Sequence, residues 1–170
     1  VSENLIQIVN EMDEMNGVAT KDEAQKKGLY HRIVRIMVED DAGNVLLQKR
    51  RADRKLYPNC WDNSAAGHVD ADESYDIAAN RELFEEIGLK GMQLKEIGYY
   101  KTNGTFGKRK LNRFNRVYTV VVPQNTVFKL QQQEVESVKW FSIEEVKKLV
   151  EQSPHDVTDG LIEVFERFYI

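Results

Sequence analysis

The stretch from Gly67 to Leu89, GHVDADESYDIAANRELFEEIGL, restricts what this chain can become more than any other part of it. Its second half carries the marks of a helix over Ser74–Ile87: Asp72 or Ser74 stands where an N-cap is needed, and Gly88 supplies a stop. With about 100° of rotation per residue, Glu82, Glu85 and Glu86 fall within an arc of roughly 100°, because positions i, i+3 and i+4 are surface neighbours. Ile77, Leu83, Phe84 and Ile87 take the other side. The expected element is an amphipathic helix that buries an apolar stripe and gathers carboxylates opposite it, where they repel one another unless a cation intervenes.

The donors in this cluster are hard oxygens with no histidine or cysteine in the helix, which favours Mg2+ or Mn2+ over a structural zinc. A solvated acidic face is the bland alternative and the commoner fate of such helices. Arg81, in the midst of the acids, also reads two ways: it neutralises a surface, or it braces the site through a bidentate bond to a carboxylate.

The spacing itself is diagnostic. Gly67 is followed after five residues by Glu73, after seven more by Arg81-Glu82, and then by Leu83, Glu85-Glu86, Gly88 and Leu89. This pattern resembles the Nudix box, with each fixed position filled. The resemblance implies an α/β fold, the Nudix α/β/α sandwich with a central mixed β-sheet. It also implies a metal-dependent hydrolase that cleaves the diphosphate linkage of a nucleoside diphosphate derivative or other organic diphosphate. Glu85 and Glu86 then lead as metal ligands with the Gly67 backbone carbonyl. Glu82 shares the metal or takes the proton from water, and Arg81 pairs with Glu73 as scaffold. An acid outside the box often completes such a site, and Glu134 and Glu136 are the candidates here.

A wider resemblance runs from about Asn10 to Leu89, through MDEMNGVATKDEAQKKGLYHRIV and VLLQKRRADRKLYPNCWDNSAAGHV, to the Nudix subgroup that includes isopentenyl-diphosphate isomerase. There, residues matching Arg50 and Arg54 touch the substrate diphosphate, and histidines matching His31 and His68 sit at a metal site. The chemistry of isomerisation is missing, however. Ala66 stands where the isomerases carry an essential cysteine, and their later acidic partners align near Leu111 and Arg113. With that site dismantled, His31 and His68 become structural or substrate-edge residues, and Arg50, Arg54 and His68 the expected substrate contacts. Hydrolase, isomerase and non-catalytic diphosphate sensor are the three classes to separate; the intact box favours the first.

The remaining sequence suits one compact enzyme of residues 1–170, with 1–30 as an N-terminal hairpin and helix addition. With 24 basic and 28 acidic residues, its net charge of −4 makes nucleic-acid polymers and membranes poor partners. A small-molecule diphosphate is the expected partner, and the chain a monomer or homodimer. Cys60 is the one cysteine and no signal-like or spanning segment is visible, so a cytoplasmic location is expected, with Cys60 a small buried hydrophobe.

Along the chain, Leu5–Val9 and Gly17–Thr20 read as a hairpin across 13–17, and Lys21–Lys27 as a helix. Ile33–Glu39 and Asn44–Gln48 read as strands around the turn at 40–43, followed by an irregular stretch before the box. Leu94–Thr102, Phe114–Val122 and Val135–Phe141 are further strands, with Gly104–Gly107 a flexible loop. Two helices, Ser142–Gln152 and Thr158–Phe168, close the chain, the first with the Ser142/Glu145 capping signature. Two basic clusters, Lys49/Arg50/Arg51/Arg54/Lys55 and Lys108/Arg109/Lys110/Arg113/Arg116, bind phosphate or are solvated. Trp61 and Trp140 are core residues or stack on a base; His155 carries no signal beyond its loop. The segment after Pro123, the N-terminal hairpin and the Gly104–Lys110 region are where substrate choice is expected to reside.

Overall fold

A computed structural model describes residues 4–170. Strands β1 (Leu5–Val9) and β2 (Met15–Thr20) and helix α1 (Lys21–Lys27) precede β3 (His31–Glu39), β4 (Val45–Arg50), β5 (Trp61–Asp62) and β6 (Ala65–His68). Helix α2 (Tyr75–Ile87), strands β7 (Lys95–Phe106), β8 (Arg109–Val121) and β9 (Val135–Phe141), and helices α3 (Ile143–Gln152) and α4 (Asp159–Phe168) complete the order, with a 3-10 turn at Pro154–Asp156.

The sheet is built outward from β3, whose sequence HRIVRIMVE is rich in β-branched residues and alternates between two covered faces. β8 lies parallel to it, from His31↔Arg113 to Glu39↔Val121, while β6 lies antiparallel, with Ile33↔His68 and Val34↔Gly67. β1, β4, β5, β7 and β9 add antiparallel pairings, so the sheet is mixed. One face packs Val34, Ile36, Val38 and Leu46 against Ala78, Ala79, Leu83 and Ile87 of α2. The other packs Met37, Val45, Leu47 and Val117 against Val146 of α3 and Leu161, Val164 and Phe165 of α4. Helices thus cover both sides of the central sheet, the expected α/β/α sandwich.

Several expectations are corrected. Ala65–His68, read as irregular, is a strand: Ala-Ala-Gly-His has little intrinsic β preference, and the pairing comes from the exposed edge that β3 offers. Gly104–Gly107 is not a loop, since pairing runs out to Phe106↔Arg109 and only the turn at Gly107, with φ of 59°, interrupts it. Ile77 and Phe84 do not join the buried stripe of α2; they are 59% and 50% exposed, and small Ala78 and Ala79 line the contact instead, letting the helix approach the sheet closely. The first hairpin turns earlier than expected, with β2 starting at Met15: Asp13 takes a φ of 59° and Asn10 Oδ1 accepts from the N–H groups of Met12 and Glu14.

The N-terminal hairpin reaches the rest of the sheet through Ile8↔His31. Asp13 at its tip accepts hydrogen bonds from Tyr75 and Tyr99 at 2.8 and 2.7 Å and pairs with Arg32 at 2.7 Å. Gln7 Nε2 donates to the carbonyls of Ala71 and Glu73 in the loop leading into α2.

Candidate active site

Ser74 caps α2 by accepting from the Ile77 N–H, and Gly88 ends it in the left-handed conformation with φ of 81°. These two stops set the phase of the helix relative to β6, and that phase decides which glutamates meet the Gly67 backbone. Arg81 is the hub. Its Nε and Nη2 donate to the two carboxylate oxygens of Glu73 at 2.6 and 2.8 Å, a bidentate pair. Nη2 also donates to the His68 carbonyl at 3.0 Å, and Nη1 to Glu82 and Glu85 at 2.7 and 3.1 Å. Asp70 stands 3.5 Å away. Burial alone would raise the Glu73 pKa, but the bonds from Arg81 and the Asp70 N–H hold it below the usual carboxylate range.

Glu86 is 5% exposed. Gln48 Nε2 donates to one of its oxygens at 2.7 Å and the Ala66 N–H to the other at 3.2 Å. Burial, and next to it the charge of Glu82, push its pKa well above the ordinary value. Glu82 is raised as well, chiefly by burial, against the pull of Glu86 and Arg81. Two crowded carboxyls that resist joint ionisation favour a cation at this spot. Gly67 completes the arrangement. A Cβ there would collide with the Glu82 carboxyl, so only glycine lets the carboxyl lie against the β6 backbone. Among the described residues no group of three or more His, Cys, Asp and Glu side chains forms a metal cage as it stands. Glu73, Glu82 and Glu85 converge on Arg81 instead, while Glu86 stays with Gln48 and the Ala66 N–H.

A cavity of about 620 Å³ opens beside these groups. Gly67, Arg81, Glu82 and Glu85 line one part of it, and Arg50, Arg54, His68 and His31 also face it. Arg50 is tied to Asp62 at 3.4 Å and to the Leu56 carbonyl at 3.0 Å; Arg54 reaches Glu134 at 3.6 Å. Of the two outside acids, Glu134 lines the cavity, whereas Glu136 lies with Arg51 away from it. Among the second basic cluster, Arg109 and Arg113 face the cavity, while Arg116 lies over the rings of Tyr75 and Tyr99 at 4.2 and 5.0 Å. Cys60 is buried, its thiol pushed up by burial and by Asp156, and so not activated. Trp61 packs edge-on to Phe141 at 5.0 Å and Trp140 against Phe128 at 6.2 Å, each partly buried at the margin of the core.

Two site neighbours escaped the sequence reading: Gln48, which orients Glu86, and Arg35, which is almost fully buried at the cavity wall beside Arg113 of the second basic cluster. A signal for Arg35 was present: it interrupts the apolar run of β3 at a position where a strand covered on both faces has no water to offer.

The NUDIX domain family model matches residues 29–161. "Uncharacterized Nudix hydrolase YfcD" of Escherichia coli (strain K12) is 31% identical over 141 residues, which cover 83% of this chain and 75% of that protein. "Isopentenyl-diphosphate Delta-isomerase 2" of Photorhabdus laumondii is 28% identical over 153 residues, 89% of this chain and 85% of that one. Among solved structures, DR0079 from Deinococcus radiodurans superposes with a TM-score of 0.81 at 19% identity, over 98% of this chain and 99% of that one.

Proposed function

Because the chain belongs to the Nudix family, we propose that it hydrolyses the phosphoric anhydride of a nucleoside diphosphate derivative or other organic diphosphate with Mg2+ or Mn2+, using the carboxylates of α2. The observation that carries this reading is the crowding of Glu82 and Glu86 beside the Gly67 backbone, with Arg81 gathering Glu73 and Glu85 at its edge. The donors are all oxygens and suit a small hard cation. When bound, the divalent ion neutralises phosphate oxygens and acidifies the attacking water.

In this reading Glu85, Glu86 and the Gly67 carbonyl hold the cation. Glu82 completes the set, sharing the cation or receiving the proton of the water. Arg81 and Glu73 fix the loop to the helix, Gln48 orients Glu86, and Arg50, Arg54 and His68 engage the substrate. Glu134 is the acid outside α2 best placed to assist, since it faces the same cavity.

We further propose that the chain falls in an isopentenyl-diphosphate-isomerase-like subgroup that lacks the isomerase cysteine, on the resemblance over residues 10–89; Ala66, Leu111 and Arg113 argue against isomerisation itself. Residues 1–170 are read as one domain, acting on a small diphosphate as a monomer or homodimer in the cytoplasm. No helix among the described residues is long and apolar enough to cross a membrane.

The test is release of phosphate and nucleotide across nucleoside di- and triphosphates, nucleotide sugars, dinucleotides and isopentenyl diphosphate, with Mg2+ and then Mn2+, wild type beside Glu86→Gln. Metal-dependent release absent from the variant supports the hydrolase. Binding of one compound without turnover would make the protein a sensor, and interconversion without phosphate release an isomerase.

A further inference from the structure

The cavity has two ends of different character. At the α2 end, Asp70, Glu73, Glu82 and Glu85 gather on Arg81. At the other end, the acids are each already engaged: Asp159 pairs with Arg113 at 2.9 Å, Asp22 with Arg109 at 2.9 Å, and Asp62 with Arg50 at 3.4 Å. Arg35 lines this end and makes no ion pair within 4.0 Å among the described residues, while Asp62, Asp159 and Glu163 supply the negative charge around it.

Arg35 is 4% exposed and its hydrogen-bond partners are neutral amides: Nε donates to Asn115 Oδ1 at 3.0 Å, Nη1 to Asn63 Oδ1 at 3.3 Å, and Nη2 has no acceptor. The guanidinium lies against Gly160 at the start of α4, where a Cβ would collide with it. That is an unfavourable place for a cation, since helix N-termini carry partial positive charge. Arg113 stands beside His31 in the β3–β8 register, and its Nε also lacks an acceptor. His31 and His68 stack at 5.3 Å between the two ends. His31 Nδ1 is bonded to the Leu29 carbonyl at 2.8 Å as donor, which leaves Nε2 a bare acceptor without a partner. Leaving buried N–H donors without an acceptor is costly, and planar forks of N–H donors match phosphate oxygens.

We propose that this end of the cavity, around Arg35, Arg113 and His31, seats a second phosphoryl group of the substrate, separate from the anhydride that is cleaved at the α2 end. The inference rests on the diphosphate-hydrolase reading of that end. Guanidinium donors together with one imidazole acceptor suit a phosphoryl oxyanion carrying a P–O–H better than a carboxylate, which at neutral pH offers no proton to Nε2. The group is the terminal phosphoryl of a longer polyphosphate chain or a phosphomonoester on the organic moiety; both have the same chemistry.

Inorganic phosphate, titrated by calorimetry into the metal-free protein, is the direct probe. Wild type and Glu86→Gln are expected to bind it alike, and Arg113→Gln and Arg35→Gln at least about tenfold more weakly, the usual loss for a charged hydrogen bond. Equal affinity in all four proteins would overturn the proposal. Should both arginine variants fail to fold, the guanidinium Nε resonance of Arg113 in wild type serves instead: a shift on adding phosphate supports the seat, and an unmoved resonance removes it. Phosphate binding of this pattern in a protein that hydrolyses nothing on the panel supports the seat while sinking the hydrolase. The source is read from KM for two matched pairs, a nucleoside triphosphate against its diphosphate and an adenine dinucleotide with and without a 2′-phosphate. A preference in the first pair that Arg113→Gln loses assigns the terminal phosphoryl; one in the second assigns the monoester. No preference in either pair for wild type contradicts the proposal.

Discussion

Glu86 has almost no access to solvent, yet it is held by two donors, the Gln48 amide and the Ala66 N–H. Replacing it with glutamine removes the charge and little volume. We expect Glu86→Gln to keep its fold and lose at least about 10²-fold in turnover, judged by product release at saturating metal and circular dichroism; near-normal turnover would sink its assignment as a ligand. His31 makes a different kind of prediction. Burial, with a smaller push from Arg113, lowers its pKa from 6.5 to about 4. The unfolded chain therefore takes up a proton that the folded chain refuses between these two values. The stability contributed by neutral His31 is complete above about pH 6.5 and is lost as pH falls towards 4, at up to about 1.4 kcal/mol per pH unit. Urea unfolding at pH 7 and pH 5 should show a steeper loss in wild type than in His31→Gln, and parallel losses would contradict it. At this scale the acids of α2 were legible because their spacing is a pattern in one helix. Gln48 was not, because its meaning depends on strands that meet only in the folded sheet, and Arg35 showed only as a charge interrupting the apolar run of β3.

In α2, a period near 3.6 correctly announces a helix with Ser74 and Gly88 at its ends. It places Leu83 and Ile87 in the core correctly but misjudges the limits of the buried side. The carboxylate side leans on β6, so Glu86 is enclosed, while Ile77 and Phe84 face outward. Two truncations separate these faces: Leu83→Ala should cost about 2–5 kcal/mol in denaturant unfolding, as for other buried leucines, and Phe84→Ala well under about 1 kcal/mol. Comparable losses would mean that Phe84 is covered in solution. Gly67→Ala belongs at the same scale, because its new methyl must displace Glu82. Activity should fall far more than stability, measured on one preparation by turnover and thermal midpoint. The hairpin of β7 and β8 shows why some elements stay hidden. Gly104 and Gly107 are punctuation in a linear reading, yet only Gly107 needs a positive φ, and Gly104 stays paired with Leu111.

For the molecule as a whole, the fold class followed from the box and from the order of strands and helices, but the sheet order did not. β3 takes β1, β4, β6 and β8 as neighbours from four different stretches of chain, and no local pattern encodes such pairings. A ligand that binds only the native state stabilises it by mass action, about 2.7 kcal/mol at one hundred times its Kd. Mg2+ or Mn2+ should raise the melting temperature of wild type, and raise it less in Glu86→Gln. The tie between Asp13 and the tyrosines Tyr75 and Tyr99, with Gln7 on the loop before α2, bears on how the gene is to be cut. The span recognised by the family model begins at residue 29, downstream of both of these anchors and of Lys21 in the cavity wall. An expression boundary placed there would deliver the whole carboxylate helix without the N-terminal struts Gln7 and Asp13, leaving its entry loop to the Arg81–Glu73 pair. The contacts that brace the site begin upstream of the sequence signature by which it is found.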